Sequence, residues 1–460
     1  MRGYGLENIG REEIAGKEQI FNKYELVKET AMDRLKGIYP YGTFMHMLEE
    51  DMKSEDKKMA LVYADIRNFR YINERFGYEI GDRLLRMFYR LIRKCLKGFQ
   101  YLSRVYSDNI VAVCYMDNEA ADEENLILLQ EGINDIALKL QTKFMNKKVS
   151  ICAGVCVIDA DVADAQTAVY NANLARKEAK KTKSITMVVY EKNIKANYNY
   201  KMKLASDLPL AIKNKEIKVY YQPKVQSTTG RVAGGEALVR WQKQDGSFVY
   251  PDEFIPYFEE SGLIVDIDYY VYNEVFKSIK ARLEAGLMAV PVSMNISRVH
   301  LESSEIILYI KGLFQKYGIP PEYIEFELTE SVYMENYDNA IKLIRELKRM
   351  GVKISMDDFG SGYSSLNMLN NIPIDVLKID KVFLGNNSKM LGSSQKIIIQ
   401  SVVEMASKLH MRTVCEGVES SEQNAFLTSI GCDMIQGYYY ERPVPENSFY
   451  EYVVKHEKIS

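Results

Sequence analysis

Histidine is nearly absent from this 460-residue chain, with only His46, His300, His410 and His456. Cysteine is scarce and scattered: Cys95, Cys114, Cys152, Cys156, Cys415 and Cys432 form no Cys-x-x-Cys pair and have no neighbouring His. That spacing argues against the common zinc sites and reads as small core residues in a reducing compartment. Metal chemistry here must lean on carboxylates, which points to a hard ion such as Mg2+ or Mn2+. An excess of charge of one sign is also missing. Sixty basic against 63 acidic residues leave a net charge of −3, so no global positive field argues for nucleic acid or an anionic membrane. No apolar run reaches the roughly 18 residues of a membrane span. The first residues, MRGYGLENIGREEIAG, lack the apolar core of a signal peptide. A cytoplasmic protein is the expectation. What remains is ordinary: 47% hydrophobic and 27% charged residues exclude a disordered chain, a collagen or a coiled-coil rod. The length suits two to four domains.

The pattern along the chain changes character twice. Glu12 to Leu35 reads as a charged helix with an apolar stripe at Ile20, Tyr24, Val27 and Ala31. From Asp33 to about Tyr190 short strands alternate with helices, the strands predicted at Ala60–Ile66, Asn109–Tyr115, Val149–Ile158 and Thr186–Tyr190. A polar segment, NIKANYNYKMKLAS, then marks a boundary or a connecting helix. The expected divisions are residues 1–32, 33–192, 193–206 and 207–460.

From Asp207 onward strand-like runs recur at Lys218–Val225, Gly234–Trp241, Val290–Ser297, Tyr323–Glu330, Lys353–Phe359, Asp375–Asp380, Arg412–Glu419 and Met434–Tyr440. Amphipathic helices between them, Asp266–Ala285, Leu301–Tyr317, Asn339–Met350 and Glu422–Ile430, stop before Gly286, Gly318, Gly351 and Gly431. A glycine just past the last apolar repeat supplies the left-handed residue that ends a helix. Ser420-x-x-Gln423 reads as a capping box. Eight strand-helix units in about 250 residues fit a TIM-type (β/α)8 barrel. The expected fold class is therefore α/β, with this barrel at the C-terminal end.

What ends each strand carries the chemistry. Glu236 lies in GGEALVRW, Asn295 in SMNIS, Glu327 and Glu330 in FELTE, and Asp357 and Asp358 in SMDDFG. Lys378 and Asp380 follow in LKID, Glu416 and Glu419 in CEGVE, and Gln436 in IQGYY. One acid at a strand end is ordinarily a cap or a salt-bridge partner. Seven strand ends in succession would converge on one barrel mouth, where the active sites of that fold lie. Carboxylates facing each other without cations repel and raise their own pKa values, and bound divalent cations are the simplest relief. Two ions about 3.5–4 Å apart can activate a water and stabilise the leaving oxygen of a phosphoester. Arg240 and Lys378 complement phosphate charge. The residues alone thus suggest metal-assisted phosphoester hydrolysis. DDFGSGYSSL is not a P-loop, lacking Gly-Lys-Ser/Thr, and Ser365 breaks a GxGxxG reading. A mobile lid coupled to metal occupancy is expected there.

Residues from about Asp207 to the C-terminus resemble the EAL-domain phosphodiesterases of bacterial cyclic di-GMP signalling. The resemblance runs through YQPKV, EALVR, the Asn of NIS, ELTE, DDFGSGYSSL, LKID, EGVE and QGYYYERP. It implies metal ligands at Glu236, Asn295, Glu327, Asp357, Asp358 and Glu416, for two divalent cations, Mg2+ or Mn2+. Lys378 resembles the lysine that assists or positions the attacking water, and beside two cations its pKa should be depressed. Glu416 and Glu330 join it in the implied catalytic set, Glu330 as the acid anchoring the DDFGSGYSSL loop. Gln222, Leu238, Arg240, Gln436 and Glu419 match substrate-contacting positions, as does Asp380 near the second metal or its water. The implied reaction is cleavage of cyclic di-GMP to linear pGpG by a chain that dimerises through the barrel.

Residues from about Asp33 to Tyr190 resemble the GGDEF diguanylate cyclases, whose cyclase-like α/β domain has a ferredoxin-like core. DRLKGIYPYGTF, ADIRNFRYINERFGYEIGDRLL and YNANLARKEAKK carry the likeness, and Asn73 and Asp82 match guanine-contacting positions. The signature itself is broken, because Tyr106-Ser107-Asp108-Asn109-Ile110 stands where GGDEF should. Arg67 stands where an acid is more usual near the metal, and Lys97 and Gln100 replace the inhibitory Arg-x-x-Asp. The resemblance implies a degenerate partner domain, structural or regulatory, for which GTP remains a candidate ligand. Two other functions stay open. One is a receptor that binds cyclic di-GMP without cleaving it, although receptors of that type usually lose metal ligands or the loop motif. The other is an unrelated metal-dependent barrel enzyme of the enolase type, which fits the acidic rim but not the whole motif series.

Overall fold

The computed structural model describes residues 38–54, 57–144, 149–182, 184–360, 369, 372–385 and 392–457. The expected helix at Glu12–Leu35 and the expected lid, from Ser361 to Leu366, lie outside the described residues. The chain divides into two compact units between Tyr200 and Lys201, within the helix Lys192–Lys213.

In the first unit the strands Ile38–Tyr39, Phe99–Tyr106, Asn109–Tyr115, Met59–Ile66, Ile151–Ile158 and Met187–Val189 form one sheet, side by side in that order. The central strand MALVYADI is buried at every position, so both of its faces are covered. Side chains alternate along it as a pleat requires. Ala60, Val62, Ala64 and Ile66 join the core that also holds Leu84, Leu85, Phe88 and Ile92 of the helix Tyr78–Cys95. Leu61 and Tyr63 face the other way, toward Ala165, Ala168 and Ala172 of the helix Ala165–Lys181. The four long strands in this order, two crossover connections between them, make the ferredoxin-like core. The strand Phe99–Tyr106 escapes the sequence reading because Gln100, Ser103 and Arg104 interrupt its apolar positions. It forms a hairpin with Asn109–Tyr115, and Ser107 turns it at φ 49°, a left-handed conformation that a glycine would adopt without strain.

The second unit is a closed barrel of eight strands: Ile217–Gln226, Val232–Gln242, Val292–Asn295, Ile324–Thr329, Lys353–Phe359, Val376–Ile379, Arg412–Cys415 and Met434–Ile435. Neighbours from Val232 to Ile435 run parallel. The first strand runs antiparallel to both of its neighbours, which departs from a uniform (β/α)8 barrel. The reason is local: Ser227 to Arg231 joins it to the second strand as a hairpin, too short for a crossover helix. The helices Ile264–Glu284, Glu305–Tyr317, Tyr337–Arg349, Ser393–Lys408 and Ser421–Ser429 connect the parallel strands. Gly286, Gly318, Gly351 and Gly431 follow four of them at φ between 63° and 87°, as their spacing implies. The Ser420–Gln423 capping box forms as well. The helix expected over Leu301–Tyr317 is split, since Arg298–Glu302 winds as a 3-10 turn. Among the described residues no helix is long and apolar enough to cross a membrane.

The barrel's two faces differ in kind. Ile324, Phe326 and Leu328 alternate with Glu325 and Glu327, and the apolar set packs outward with Ile354 and Met356. The other set, all buried, brings Glu236, Glu325, Glu327, Ser355, Asp357 and Lys378 to the interior. Barrels of this kind are normally filled by Val, Ile and Leu. Here Val376, Val414 and Met434 form only a small apolar cluster.

Candidate metal centre

The residues at the strand ends meet because of where each strand stops. Glu236 pairs in register with Gln222, Asn295 with Glu327, and Thr329 with Asp357. Adjacent residues of a regular strand face opposite sides, so Asp357 and Asp358 should not share a site. A register shift between Met356 and Phe359 breaks the alternation, and Asp358 sits at φ 56°. The bulge re-aims a side chain, at the cost of a left-handed non-glycine residue. Oxygens of Asp357, Asp358 and Glu416 consequently lie within 4.8 Å of one another.

Lys378 stands at the centre, completely buried. Its Nζ lies 2.5 Å from Glu327 Oε2, 2.7 Å from Glu416 Oε1, 2.9 Å from Asp357 Oδ1 and 3.3 Å from Glu236 Oε2. Burial works against its charge, but these carboxylates prevail and hold the ammonium well above the usual lysine range. The depression expected beside cations is therefore reversed where the neighbours are anions alone. Burial, then repulsion from other acids, pushes Glu416 up to about 8 and Asp358 up to about 6. Glu236 is raised by burial and by Glu327. Glu327 is driven the other way: burial would raise it, but Lys224 and Lys378 together hold it down to about 2.

Six carboxylates, on Glu236, Glu325, Glu327, Asp357, Asp358 and Glu416, face two ammoniums, on Lys224 and Lys378. With all six ionised, four negative charges are left over, which is the charge of two divalent cations. The donors are hard oxygens with a buried ammonium already among them where positive charge is needed, and that chemistry fits Mg2+ or Mn2+.

The remaining expected residues divide into groups. Asn295 Nδ2 donates to Glu236 Oε1 at 3.2 Å, and Gln436 Nε2 donates to Glu236 Oε2 at 2.7 Å and to Gln222 Oε1 at 3.1 Å. These three belong to the cluster. Asp380 lies against Asp358 while accepting from the Val382 N–H at 2.7 Å. Glu330 is buried and accepts from the Gly360 N–H at 2.9 Å, pinning the end of the DDFG segment. Leu238 and Arg240 are half-buried farther along their strand, and burial lowers the Arg240 pKa. Glu419 is exposed, and its N–H donates to Gln423 Oε1 at 2.9 Å. Sequence reasoning missed Lys224, Glu325 and Ser355, although the spacing of Gln222 and Lys224 on one strand already places both on one face.

In the first unit, Asp65 lies in the ADIRNF segment that carries the likeness to the cyclases. It is buried and paired with Arg176 and with Lys180 at 2.8 Å. Arg67, which stands where an acid is more usual, donates to the carbonyls of Ala179, Lys180, Thr182 and Ile185 and so caps the helix Ala165–Lys181. Asp108 is also occupied, accepting from the Ile66 N–H at 2.9 Å, and burial raises its pKa. Tyr106, Asp82, Lys97 and Gln100 are exposed, and Asn73 is half-buried.

The EAL domain profile matches residues 205–443, and the profile described as diguanylate cyclase, GGDEF domain, matches residues 30–185. The chain is 29% identical over 391 residues to the bifunctional diguanylate cyclase/cyclic di-GMP phosphodiesterase MucR of Pseudomonas aeruginosa, covering 85% of this chain and 56% of MucR. It is 29% identical over 418 residues to the cyclic di-GMP phosphodiesterase PdeR of Escherichia coli, covering 91% of this chain and 62% of PdeR. The chain thus spans about half to three-fifths of these relatives' length. A solved structure described as a PaMucR phosphodiesterase, c-di-GMP complex, is 32% identical with a TM-score of 0.51, over 54% of this chain and 99% of that one.

Lys378→Met tests the electrostatics of the cluster directly. Removing one partner from a buried ionic group costs about 3–5 kcal/mol. Urea unfolding in EDTA should therefore give a markedly lower midpoint for the variant, with Mg2+ restoring more stability to it than to the wild type. Equal midpoints in EDTA would contradict the arrangement.

Proposed function

The chain belongs to the EAL domain family, with a GGDEF-family domain upstream, and from that premise we propose that it hydrolyses cyclic di-GMP to linear pGpG. The observation that carries the reading is the excess of four negative charges around Lys378 at a barrel mouth. Glu236, Asn295, Glu327, Asp357, Asp358 and Glu416 would hold two divalent cations, Mg2+ or Mn2+, with Asp357 shared between them. Such ions supply charge for a phosphodiester and acidity for a water at neutral pH.

The protein's own groups do the rest. Lys378 Nζ, ringed by the ligand carboxylates, positions the attacking water; it would take the proton only once bound cations had lowered its pKa. Arg240 brings a guanidinium that matches a phosphate in a bidentate fashion. Gln222, Leu238, Gln436, Asp380 and Glu419 contact the nucleotide. Glu330 fixes the strand end bearing Asp357 and Asp358 through the Gly360 N–H. A non-hydrolysing receptor is less well supported, because every proposed ligand is present. Exposed Val382, Ile397 and Ile398 lie on adjacent elements and suit a homodimer through the barrel. The upstream domain is proposed as structural or regulatory, with Asp65 already neutralised by Arg176 and Lys180.

Purified chain with cyclic di-GMP and Mn2+ should yield pGpG on chromatography. Glu236→Ala should lose both metal binding and turnover, while Lys378→Ala should keep the metal and lose at least the roughly hundredfold typical of a general base. A folded Glu236→Ala protein turning over near the wild-type rate would falsify the proposal, and binding without turnover would favour the receptor. In an Asp357→Asn background, where hydrolysis cannot hide product, GTP should give no cyclic di-GMP; its appearance would restore cyclase activity to the upstream domain. Sedimentation velocity should show a dimer, and a monomer at micromolar concentration contradicts the pairing.

A further inference from the structure

Lys224 reaches the barrel interior from the one strand that runs against all the others. Gln222 and Lys224 share a face of Ile217–Gln226, and the reversed direction sets Gln222 opposite Glu236 while Lys224 lies deeper, opposite Gly234. Its ammonium is buried and donates to Glu325 Oε1 at 2.9 Å and to Glu327 Oε1 at 2.8 Å. Glu325 is fixed in turn by the hydroxyl of Ser355. The second oxygen of Glu327, Oε2, faces Lys378 at 2.5 Å. The two oxygens of this carboxylate therefore belong to different partners.

The partners are not equally replaceable. Lys378 shares its ammonium among four carboxylates at the mouth, so a cation arriving there can take its place at Oε2 without leaving it unpaired. Taking Oε1 as well would strip Lys224 of one of its two anions in a buried site, and an under-compensated buried charge is costly.

We propose that Lys224 sets the metal selectivity of the barrel mouth: by holding Oε1 of Glu327 it leaves that ligand a single oxygen to offer. One oxygen suits the strict octahedral shell of Mg2+ or Mn2+. It disfavours Ca2+, whose larger shell readily takes carboxylates through both oxygens. Lys224 is a positioning residue, acting through Glu327 and touching no substrate. The inference rests on the reading of Glu327 as a metal ligand. Its signature is separable from simple charge, because Lys224 repels Mg2+ and Ca2+ alike and only the ratio of their affinities reports coordination.

The test is isothermal titration of the full chain with Mg2+ and, separately, with Ca2+. Lys224→Met/Glu325→Gln removes the ammonium and its second carboxylate together, leaving neither stranded. Glu325→Gln alone keeps Lys224 on Glu327. The single variant should retain the wild-type affinity ratio. The double variant should shift that ratio toward Ca2+ by about tenfold, the lower end of what partners behind a metal ligand usually control. An unchanged ratio in a folded double variant overturns the proposal while leaving the metal site intact. If the double variant does not fold, the wild-type chain crystallised with Mg2+ decides: one oxygen of Glu327 on the ion and the other on Lys224 supports it, and a bidentate Glu327 overturns it. Failure of both ions to bind the wild type removes the metal reading of the mouth, and this inference with it.

Discussion

A single buried ammonium, Lys378 Nζ within 3.3 Å of four carboxylates, is the interaction on which the barrel mouth depends. Isolated ionised acids do not survive in a protein interior; they are paired or protonated. Lys378 provides the pairing for Glu327, Glu416, Asp357 and Glu236, and Lys224 does so one layer deeper for Glu325 and Glu327. Two ammoniums cannot neutralise six acids. Burial first, and then the unanswered acids, raise Glu416 and Asp358, and both are groups that additional positive charge would return to the ionised form. The mouth is thus a site whose charge is balanced only in part by the chain itself.

Two departures from regular backbone geometry make that concentration of charge attainable. The reversed first strand lets Gln222 and Lys224 enter at different depths, one at the mouth and one behind it. The bulge at Asp358 places two consecutive acids where a regular strand would supply one. Gly437 serves the same end beside Gln436: a Cβ there would lie 2.1 Å from the Val418 carbonyl oxygen, so only glycine lets the last strand's loop close against the segment bearing Glu416. Specialised backbone positions cluster around the chemistry, as strain in functional sites commonly does.

Much of this was legible in the sequence, and what was not had physical reasons. The barrel strands, the glycine caps and the acids at the strand ends follow from apolar periodicity and from residue types in fixed places. Lys353–Phe359 was read to the residue, since KISMDDF carries its own boundaries. The direction of the first strand was not legible, because hydrophobic alternation is the same in either direction. Nor was the role of Lys224, which reads as one more lysine until its strand is known to be reversed. Phe99–Tyr106 went unread because its polar residues mask the alternation. The likeness marked Arg67 only as standing where an acid is more usual; that its guanidinium binds carbonyls at a helix end, while Arg176 and Lys180 pair with Asp65, depends on long-range packing that no local pattern carries.

The two units put the same materials to opposite ends. In the first, a buried acid is fully answered by basic side chains of its own domain; in the second, acids outnumber their partners three to one. The contrast locates the chemistry in the barrel. Equilibrium dialysis of the full chain against Mn2+ tests this most directly. The account predicts two ions per chain at saturation, with Asp357→Asn, which alters the ligand proposed to be shared, weakening both. No stoichiometric Mn2+ binding, or binding indifferent to Asp357, would contradict it.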